Sequence, residues 1–346
     1  MRTYLDHNAT TPLRPEARAA MIAAMEVQGN PSSVHAEGRA AKGLIERARA
    51  QVAAALGAEG ADVIFTSGAT EAAALACAGR GLHCAAVEHE AVAAWCDGSL
   101  AVGGDGLVSV TDPARTALQL ANSETGVVQN LPQGLAVSDL TQGFGKLPIA
   151  FNWLGTQMAL VSAHKLGGPK GIGALVVRRG VDFEARLRGG GQEMGRRAGT
   201  ENLIGIAGFG AAAQAAARDL ADGVWDRVAE LRNILECALS SLAFETISVG
   251  NTGRRLPNTL CLIAPGWKGE TQVMAMDLAG FAISAGSACS SGKVRASRVL
   301  QAMGFDDARS GQAIRVSLGP QTTEEQVLRF ADAWGREYRR IRSRVA

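Results

Sequence analysis

The stretch Ser162-Ala163-His164-Lys165-Leu166-Gly167-Gly168-Pro169-Lys170-Gly171 is the most informative part of the chain. It follows the apolar, β-prone run 158–161, and a glycine-rich turn comes directly after Lys165. This order predicts a lysine at the end of a core strand, beside a loop whose backbone can approach a ligand closely. A lysine so placed can lose its proton and attack a carbonyl to form a Schiff base. The alternative is an ordinary solvated lysine, and other segments must decide between the two.

Strand and helix patterns outside this stretch indicate an α/β fold. The alanine-rich segments 15–25 and 36–56 predict helices, the second with apolar positions at helical spacing. The β-branched run 62–66 predicts a strand, which a glycine turn and another alanine-rich helix follow. Further short strands are predicted at 85–87, 117–121, 136–138 and 173–177. The first half therefore predicts a mostly parallel sheet with helices on both faces.

The second half has a different character. Helices are predicted at 203–220 and 224–242, and short strands at 258–263, 281–284 and 313–318. This spacing is typical of a smaller α+β domain. A chain of 346 residues is also long enough for two domains.

Composition excludes several classes of protein. The formal net charge of +2 gives no electrostatic basis for binding nucleic acid. No apolar run approaches the ~20 residues of a membrane span, and the start of the chain lacks an apolar signal core, so a cytoplasmic location is expected. None of the six cysteines forms a C-x-x-C pair, which predicts free thiols and no metal site.

Three polar positions follow predicted strands. The turn Ser67-Gly68-Ala69-Thr70-Glu71 opens a helix and can bind an anion, although a plain N-cap explains it as well. Asp139 would suit either an N-cap or an ion pair to a protonated pyridine nitrogen, the device of pyridoxal phosphate enzymes. His89 is placed to stack on a flat ring, although a lone histidine is more often structural.

Cys289 and Arg315 are candidates for substrate chemistry. Cys289 lies in the small, polar run Gly286-Ser287-Ala288-Cys289-Ser290-Ser291-Gly292, which predicts an exposed loop. A loop thiol acts as a nucleophile when it becomes a thiolate. Arg315 interrupts an apolar run, so its guanidinium needs a carboxylate partner from the protein or from a substrate.

Together these signals resemble one family, the cysteine desulfurases of the class V aminotransferase group. The resemblance runs from residue 4 to about residue 330, and its motifs follow one another in order. They are Tyr4-Leu5-Asp6-His7-Asn8-Ala9-Thr10-Thr11-Pro12, Asn30-Pro31-Ser32-Ser33, Phe65-Thr66-Ser67-Gly68-Ala69-Thr70-Glu71, Glu88-His89-Glu90-Ala91-Val92, Asn122-Ser123-Glu124-Thr125-Gly126, Gly143-Phe144-Gly145-Lys146-Leu147-Pro148, the Lys165 stretch, Gly189-Gly190-Gly191-Gln192-Glu193, Arg197-Ala198-Gly199-Thr200, Gly286-Ser287-Ala288-Cys289 and the Arg315 strand.

The resemblance implies the fold of fold type I pyridoxal phosphate enzymes. Its large α/β domain has a mostly parallel, seven-stranded-type sheet between helices, expected here at residues 13–225. A smaller α+β domain, expected at 1–12 and 226–346, carries the cysteine loop.

The resemblance also implies a role for each matching residue. Lys165 is the lysine that anchors pyridoxal 5′-phosphate, His89 stacks on the pyridine ring and also acts in catalysis, and Asp139 pairs with the ring nitrogen. Gln142 hydrogen-bonds the phenolic oxygen. The remaining cofactor residues would hold the phosphate: Ala69, Thr70, Ser162, His164 and, from the neighbouring subunit of a homodimer, Thr200.

The implied reaction converts L-cysteine to L-alanine. Asn8, Asn122 and Arg315 would bind the substrate, and Cys289 would take up the sulfur as a persulfide. An acceptor protein would receive it next, with an iron–sulfur scaffold as one candidate. Two alternatives stay open at this point: a related class V enzyme without a persulfide relay, such as an aminotransferase or a selenocysteine lyase, and a pseudo-enzyme.

The chain departs from the family pattern at several points. Ser123 stands where a second asparagine is usual, and Val137-Ser138 stands where histidine-valine is usual. The spans from His89 to Asn122 and from Asn122 to Asp139 are short, which predicts a trimmed helix or strand in the large domain.

Overall fold

The computed structural model of the protein describes residues 2–286 and 296–345, without the side chains of residues 344 and 345. The helices are Pro15–Met25 (α1), Ala36–Leu56 (α2), Ala69–Cys77 (α3), Glu90–Ala93 (α4), Leu203–Ala221 (α5), Val224–Leu242 (α6), Gly269–Leu278 (α7), Arg298–Ala302 (α8), Asp307–Ser310 (α9) and Glu324–Val345 (α10). Within the described ranges, none of the helices has the length and apolar character of a membrane span.

The strands are mostly short. They are Thr3–Tyr4 (β1), Asp62–Thr66 (β2), Leu82–Ala85 (β3), Cys96–Leu100 (β4), Ala117–Gln119 (β5), Leu135–Asp139 (β6), Thr156–Ser162 (β7), Gly173–Val177 (β8), Ile247–Val249 (β9), Thr259–Ile263 (β10), Phe281–Ala282 (β11), Ser284–Ala285 (β12) and Ala313–Ser317 (β13).

A five-stranded sheet in the order β2-β8-β7-β6-β5 forms the centre of the first half. Strands β5, β6 and β7 are parallel, whereas β8 is antiparallel to both β7 and β2. The parallel pair β3-β4 joins the β5 edge through a bridge between His83 and Thr116. The mostly parallel sheet that the family resemblance implies is confirmed, as five paired strands with the β3-β4 pair bridged to one edge.

Alternate residues of the central strands serve the two faces of the sheet. On β7, Ala159 and Val161 pack in a core with residues of α1, α2 and α5. Met158 and Leu160 point to the opposite face and pack with residues of α3. Because both faces are covered, the central strands are apolar throughout rather than alternating, as expected for a buried parallel sheet.

A second, antiparallel sheet has the order β12-β13-β10-β9. Its core includes residues of α6 and α10, with Trp267 and Trp334 among the largest buried side chains. Strand β1 pairs in parallel with β11, so the start of the chain packs beside the second half. The domain bounds themselves stay a prediction.

Two predicted strands differ in the structure. The strand expected at 85–87 lies instead at Leu82–Ala85, because its pairing with β4 fixes its position. The strand expected at 281–284 is divided: β11 pairs with β1, whereas β12 pairs with β13. The short span from His89 to Asn122 contains a four-residue helix, α4, the strand β4 and a 3₁₀ turn at Pro113–Arg115.

Candidate active site

A cavity of about 630 Å³ opens where the parallel strands of the large sheet end. Gln119, Asp139 and Ser162 are the last residues of β5, β6 and β7, and all three line it. The carboxyl ends of parallel strands are where α/β sheets bind ligands. Ten of the residues predicted from the sequence line this cavity: Asn8, Ala69, Thr70, His89, Asp139, Gln142, Ser162, His164, Lys165 and Arg315.

Lys165 lies three residues beyond the end of β7 and is partly buried. Its Nζ donates to the backbone oxygens of Asn8 (2.7 Å) and Ala9 (2.9 Å). The turn that follows needs glycine at position 167, where φ is +87° and a Cβ would come within 2.5 Å of the Arg14 side chain. The sequence therefore holds this amine at the cavity wall by local geometry.

Asp139 and His89 approach the cavity from neighbouring strand ends. The Asp139 carboxylate accepts a hydrogen bond from the Thr141 backbone N–H at 2.8 Å. The Nδ1 atom of His89 accepts from the Ala91 backbone N–H at 3.1 Å, at the start of α4. This bond places the proton of a neutral imidazole on Nε2.

The N-terminus of α3 forms the anion-binding end of the cavity. Gly68 is its N-cap and brings no capping side chain, so Ser67 and Thr70 are not the caps that the plainer explanation required. The backbone amides of the first turn and the helix dipole favour an anion there. Gly173 of β8 lets Gly68 come close, because a Cβ at Gly173 would lie 2.8 Å from the Gly68 backbone.

His164 lies in the cavity wall in its neutral form. Its Nδ1 lies 3.2 Å from the Thr10 hydroxyl. Burial, with the charges of Lys165, Lys170 and Lys146, lowers the pKa of His164 to about 4. At neutral pH the ring can therefore donate one hydrogen bond without carrying a charge.

Arg315 comes from β13 of the second sheet and is almost fully buried. Its Nη2 pairs with the Asp6 carboxylate at 2.7 Å, and its Nη1 donates to the Ser123 backbone oxygen at 3.1 Å. The buried Nε has no hydrogen-bond partner among the described residues. The guanidinium, which carries five N–H groups, therefore keeps donors beyond the two that Asp6 and Ser123 use.

Two predicted residues do not line the cavity. Asn122 is buried, and its side-chain amide bonds the backbone of Val87, Glu124 and Thr125. Thr200 is exposed and borders a separate hollow with Met25 and Leu203. Cys289 lies outside the described residues.

Asn8 lines the cavity, but its side chain is largely engaged within the protein. Its Nδ2 donates to Thr259 Oγ1 (2.8 Å) and to the Ser123 backbone oxygen (3.1 Å). Its Oδ1 accepts from Asn258 Nδ2 at 3.0 Å. The amide thus joins the two halves of the chain at the cavity.

Three buried titratable residues beside the site carry no sequence prediction. Burial raises the pKa of Glu124 to about 7, and its carboxyl accepts from Ser297 Oγ at 2.6 Å. Burial raises the pKa of Glu88 well above its usual value. Burial, with the charges of Lys165 and Arg315, lowers the pKa of Lys146 to about 7. The motifs contained all three residues, but a sequence motif does not show that a charge is buried.

Comparisons with known proteins agree with this geometry. The chain matches the family described as aminotransferase class-V over residues 3–95 and 111–330; the unmatched residues 96–110 fall in the shortened region around β4. It is 39% identical to a cysteine desulfurase of Frankia sp. (strain EuIK1) over 98% of this chain and 92% of that protein.

Two solved structures share the fold. A NifS-like protein from Rickettsia africae superposes with a TM-score of 0.88 at 30% identity, over 98% of this chain and 100% of that chain. A structure described as SspA in complex with cysteine gives a TM-score of 0.76 at 26% identity, over 93% of this chain and 100% of that chain. The family predicted from the motifs is confirmed, and the chain belongs to the aminotransferase class-V family.

Proposed function

We propose that the protein is a pyridoxal-phosphate-dependent cysteine desulfurase, which converts L-cysteine to L-alanine and takes up the sulfur on Cys289. The observation that carries the proposal is the meeting of Lys165, Asp139, His89 and Arg315 around one cavity. The curated relative named cysteine desulfurase and the structural relative bound to cysteine support the same substrate.

The cavity fits the cofactor in size and in chemistry. Its volume of about 630 Å³ accommodates a substituted pyridine ring with a phosphate. The α3 N-terminus supplies the anion end, where Thr70, Ser162 and His164 would hold the phosphate. Asp139 lies at another strand end, where it would hold a proton on the ring nitrogen, and Lys165 supplies the amine. When bound, the cofactor draws electrons from the substrate Cα.

The residues of the chain then divide the work of the reaction. Lys165 would hold and move the proton at the substrate Cα, because its amine lies at the cavity wall. His89 would stack on the ring, and Gln142 would donate to the phenolic oxygen. Arg315 would bind the substrate carboxylate through guanidinium N–H groups that Asp6 and Ser123 do not use.

The sulfur step needs a nucleophile, and the sequence offers Cys289 for it. Its thiolate would form an S–S bond with the substrate sulfur as the Cβ–S bond breaks. The electron pair left on Cβ takes a proton to give alanine, and Cys289 keeps the persulfide. We further propose that an acceptor protein, such as an iron–sulfur scaffold, then receives this sulfur.

We also propose a homodimer in which Thr200 serves the partner subunit. Thr200 lies outside the cavity of its own chain, beside the exposed side chain of Met25. In such a dimer, the two copies would pack at this hollow. Thr200 of each copy would then have to lie near the phosphate end of the other copy's cavity. Light scattering should give twice the chain mass, and Thr200→Ala should weaken cofactor binding without dissociating the dimer. A monomer with full cofactor affinity would refute this arrangement.

The direct test combines spectroscopy with product analysis. Protein loaded with pyridoxal phosphate should absorb in the visible range and form alanine and sulfur from L-cysteine. Lys165→Ala should lose the band, whereas Lys268→Ala, at an exposed lysine of α7's N-cap, should keep it. Cys289→Ser should stop sulfide release while cysteine still changes the spectrum, with the exposed Cys237→Ser as control.

Each alternative has its own outcome in these assays. Sulfide release that survives Cys289→Ser would indicate a lyase without a persulfide relay. Amino-group transfer to a keto acid in place of sulfide release would indicate an aminotransferase. A wild type that stays colourless after reconstitution would refute the proposal.

A further inference from the structure

Lys146 is a buried cation beneath the cavity, in the turn that follows β6. Only 3% of its surface is exposed. Its Nζ donates to Gln142 Oε1 at 2.9 Å and lies 3.4 Å from Asn8 Oδ1. Among the described residues, no carboxylate forms an ion pair with it. The charged or titratable groups that act on it or respond to it are Lys165, Arg315, His7 and His164.

This arrangement is unfavourable as a purely structural device. An ammonium that leaves water loses its hydration, and nearby cations add repulsion instead of compensation. An apolar side chain of similar length would fill the same space without that cost. The position therefore calls for a reason other than stability.

The hydrogen bonds of Gln142 supply the reason. An amide side chain can present either its oxygen or its nitrogen to a neighbour, and the two orientations have nearly the same shape. Here Oε1 faces Lys146, which can only donate while it is protonated, and Nε2 donates to the Asn8 backbone oxygen at 2.9 Å. A flipped amide would set donor against donor at Lys146 and acceptor against acceptor at Asn8.

We propose that Lys146, when its amine is protonated, is a positioning residue that fixes the side-chain amide of Gln142, so that a donor rather than an acceptor faces the cofactor's phenolic oxygen. The inference rests on the proposed function, since that oxygen belongs to pyridoxal phosphate. Nε2 has a second hydrogen beyond the one given to Asn8, and Gln142 lines the cavity. The Asn8 carbonyl also accepts from Lys165, so the same contact keeps Gln142 beside the anchoring lysine.

The first measurement is the affinity of the apoprotein for pyridoxal phosphate, followed by the visible band. Lys146→Met should raise Kd roughly tenfold, the equivalent of about 1.4 kcal/mol. Lys268→Met, at an exposed lysine, should leave Kd unchanged. If Lys146 served only to stabilise the fold, Lys146→Met would instead lower the stability of the apoprotein and leave the Kd of the folded fraction unchanged. Lys146→Gln serves if the methionine variant does not fold, and should also raise Kd.

The second measurement is a double-mutant cycle with Gln142→Leu. If Lys146 acts through Gln142, Lys146→Met should have little effect on Kd once Gln142 is replaced. Equal losses in both backgrounds, or an unchanged Kd in the single variant, would overturn the inference. A wild type that binds no pyridoxal phosphate would refute the proposed function itself. If the wild type binds it and Lys146→Met binds it with the same Kd, only the role of Lys146 is refuted.

Discussion

Replacing Lys146 with methionine should change the stability of the apoprotein with a sign that depends on pH. The folded protein lowers the pKa of this lysine from 10.5 to about 7. Between these values the unfolded chain binds more protons than the folded protein, so wild-type stability rises with pH through this window. Below pH 7 the folded protein bears the full free-energy cost of burying the charged lysine, and above pH 10.5 this cost is absent.

The size of the effect follows from the same shift. The difference in pKa corresponds to about 5 kcal/mol at pH 7 or below. Methionine removes this cost but also removes the hydrogen bond to Gln142 and leaves its oxygen unpaired, a loss of about 1–3 kcal/mol. The variant should therefore be more stable than the wild type by about 2–4 kcal/mol at pH 6.5, and less stable at pH 10.

Equilibrium urea unfolding of both apoproteins at pH 6.5, 8 and 10 tests this crossing. The control Lys268→Met should stay within about 0.5 kcal/mol of the wild type at every pH, because that lysine is exposed. A variant that is less stable at pH 6.5, or a difference that does not change with pH, would refute the reasoning.

Three further changes test the residues around the cavity. Glu124→Gln keeps an acceptor for Ser297 and removes a buried acid whose pKa rises from 4.5 to about 7, so it should stabilise the protein by up to about 3 kcal/mol above pH 7 and not at all below pH 4.5, measured by urea unfolding. Arg315→Ala should raise KM for cysteine at least tenfold and remove the ion pair of Asp6, whose carboxylate would keep only the hydrogen bond from Ser284 among the described residues; an unchanged KM would exclude the carboxylate-binding role. Asp139→Asn should lower kcat about a hundredfold or more with the cofactor still bound. Steady-state rates of the reconstituted variant that match the wild type would refute the role of Asp139.

The sequence predicted the long and strongly patterned elements well. Helices α1, α2 and α6 and strands β2 and β8 have the predicted bounds. Helical periodicity over many turns, or a β-branched run closed by glycine, is a local signal that tertiary contacts reinforce. Strand β3 was misplaced because its residues are not β-branched and its bounds depend on β4. The division between β11 and β12 depends likewise on two different partners, which the local sequence does not reveal.

The residues of the site likewise differ in how well the sequence predicts them. Motif positions such as Asp139 and Ser162 end strands that meet at one edge, so the topology alone brings them to the cavity. Asn122 belongs to the same set of motifs, but its amide is used within its own turn. Lys146 belongs to the motif Gly143-Phe144-Gly145-Lys146-Leu147-Pro148 but has no predicted role, because the sequence does not distinguish a buried lysine from a solvated one. Burial arises from the packing of distant segments, and the groups near Lys146 include Asn8, Lys165 and Arg315.

Buried charges away from the cavity are paired in this protein. The guanidinium of Arg49 forms two hydrogen bonds with the Glu193 carboxylate, at 2.7 and 2.9 Å, and Arg255 pairs with Glu236 at 2.7 Å. Such pairs offset the cost of removing two charges from water. The fold therefore has the means to compensate a buried ion where it serves structure.

Beside the cavity Arg315 is paired with Asp6, but four other buried titratable groups have no ion-pair partner among the described residues. Lys146, His164, Glu88 and Glu124 all have pKa values shifted toward the neutral form, and burial is the largest cause in each case. Each of these groups lowers the stability of the apoprotein over part of the pH range. An anionic ligand in the cavity would reduce the cost for the two bases, since a nearby negative charge favours their protonated forms. The stability lost at Lys146 is therefore consistent with a wall shaped for an anionic cofactor rather than for the empty protein.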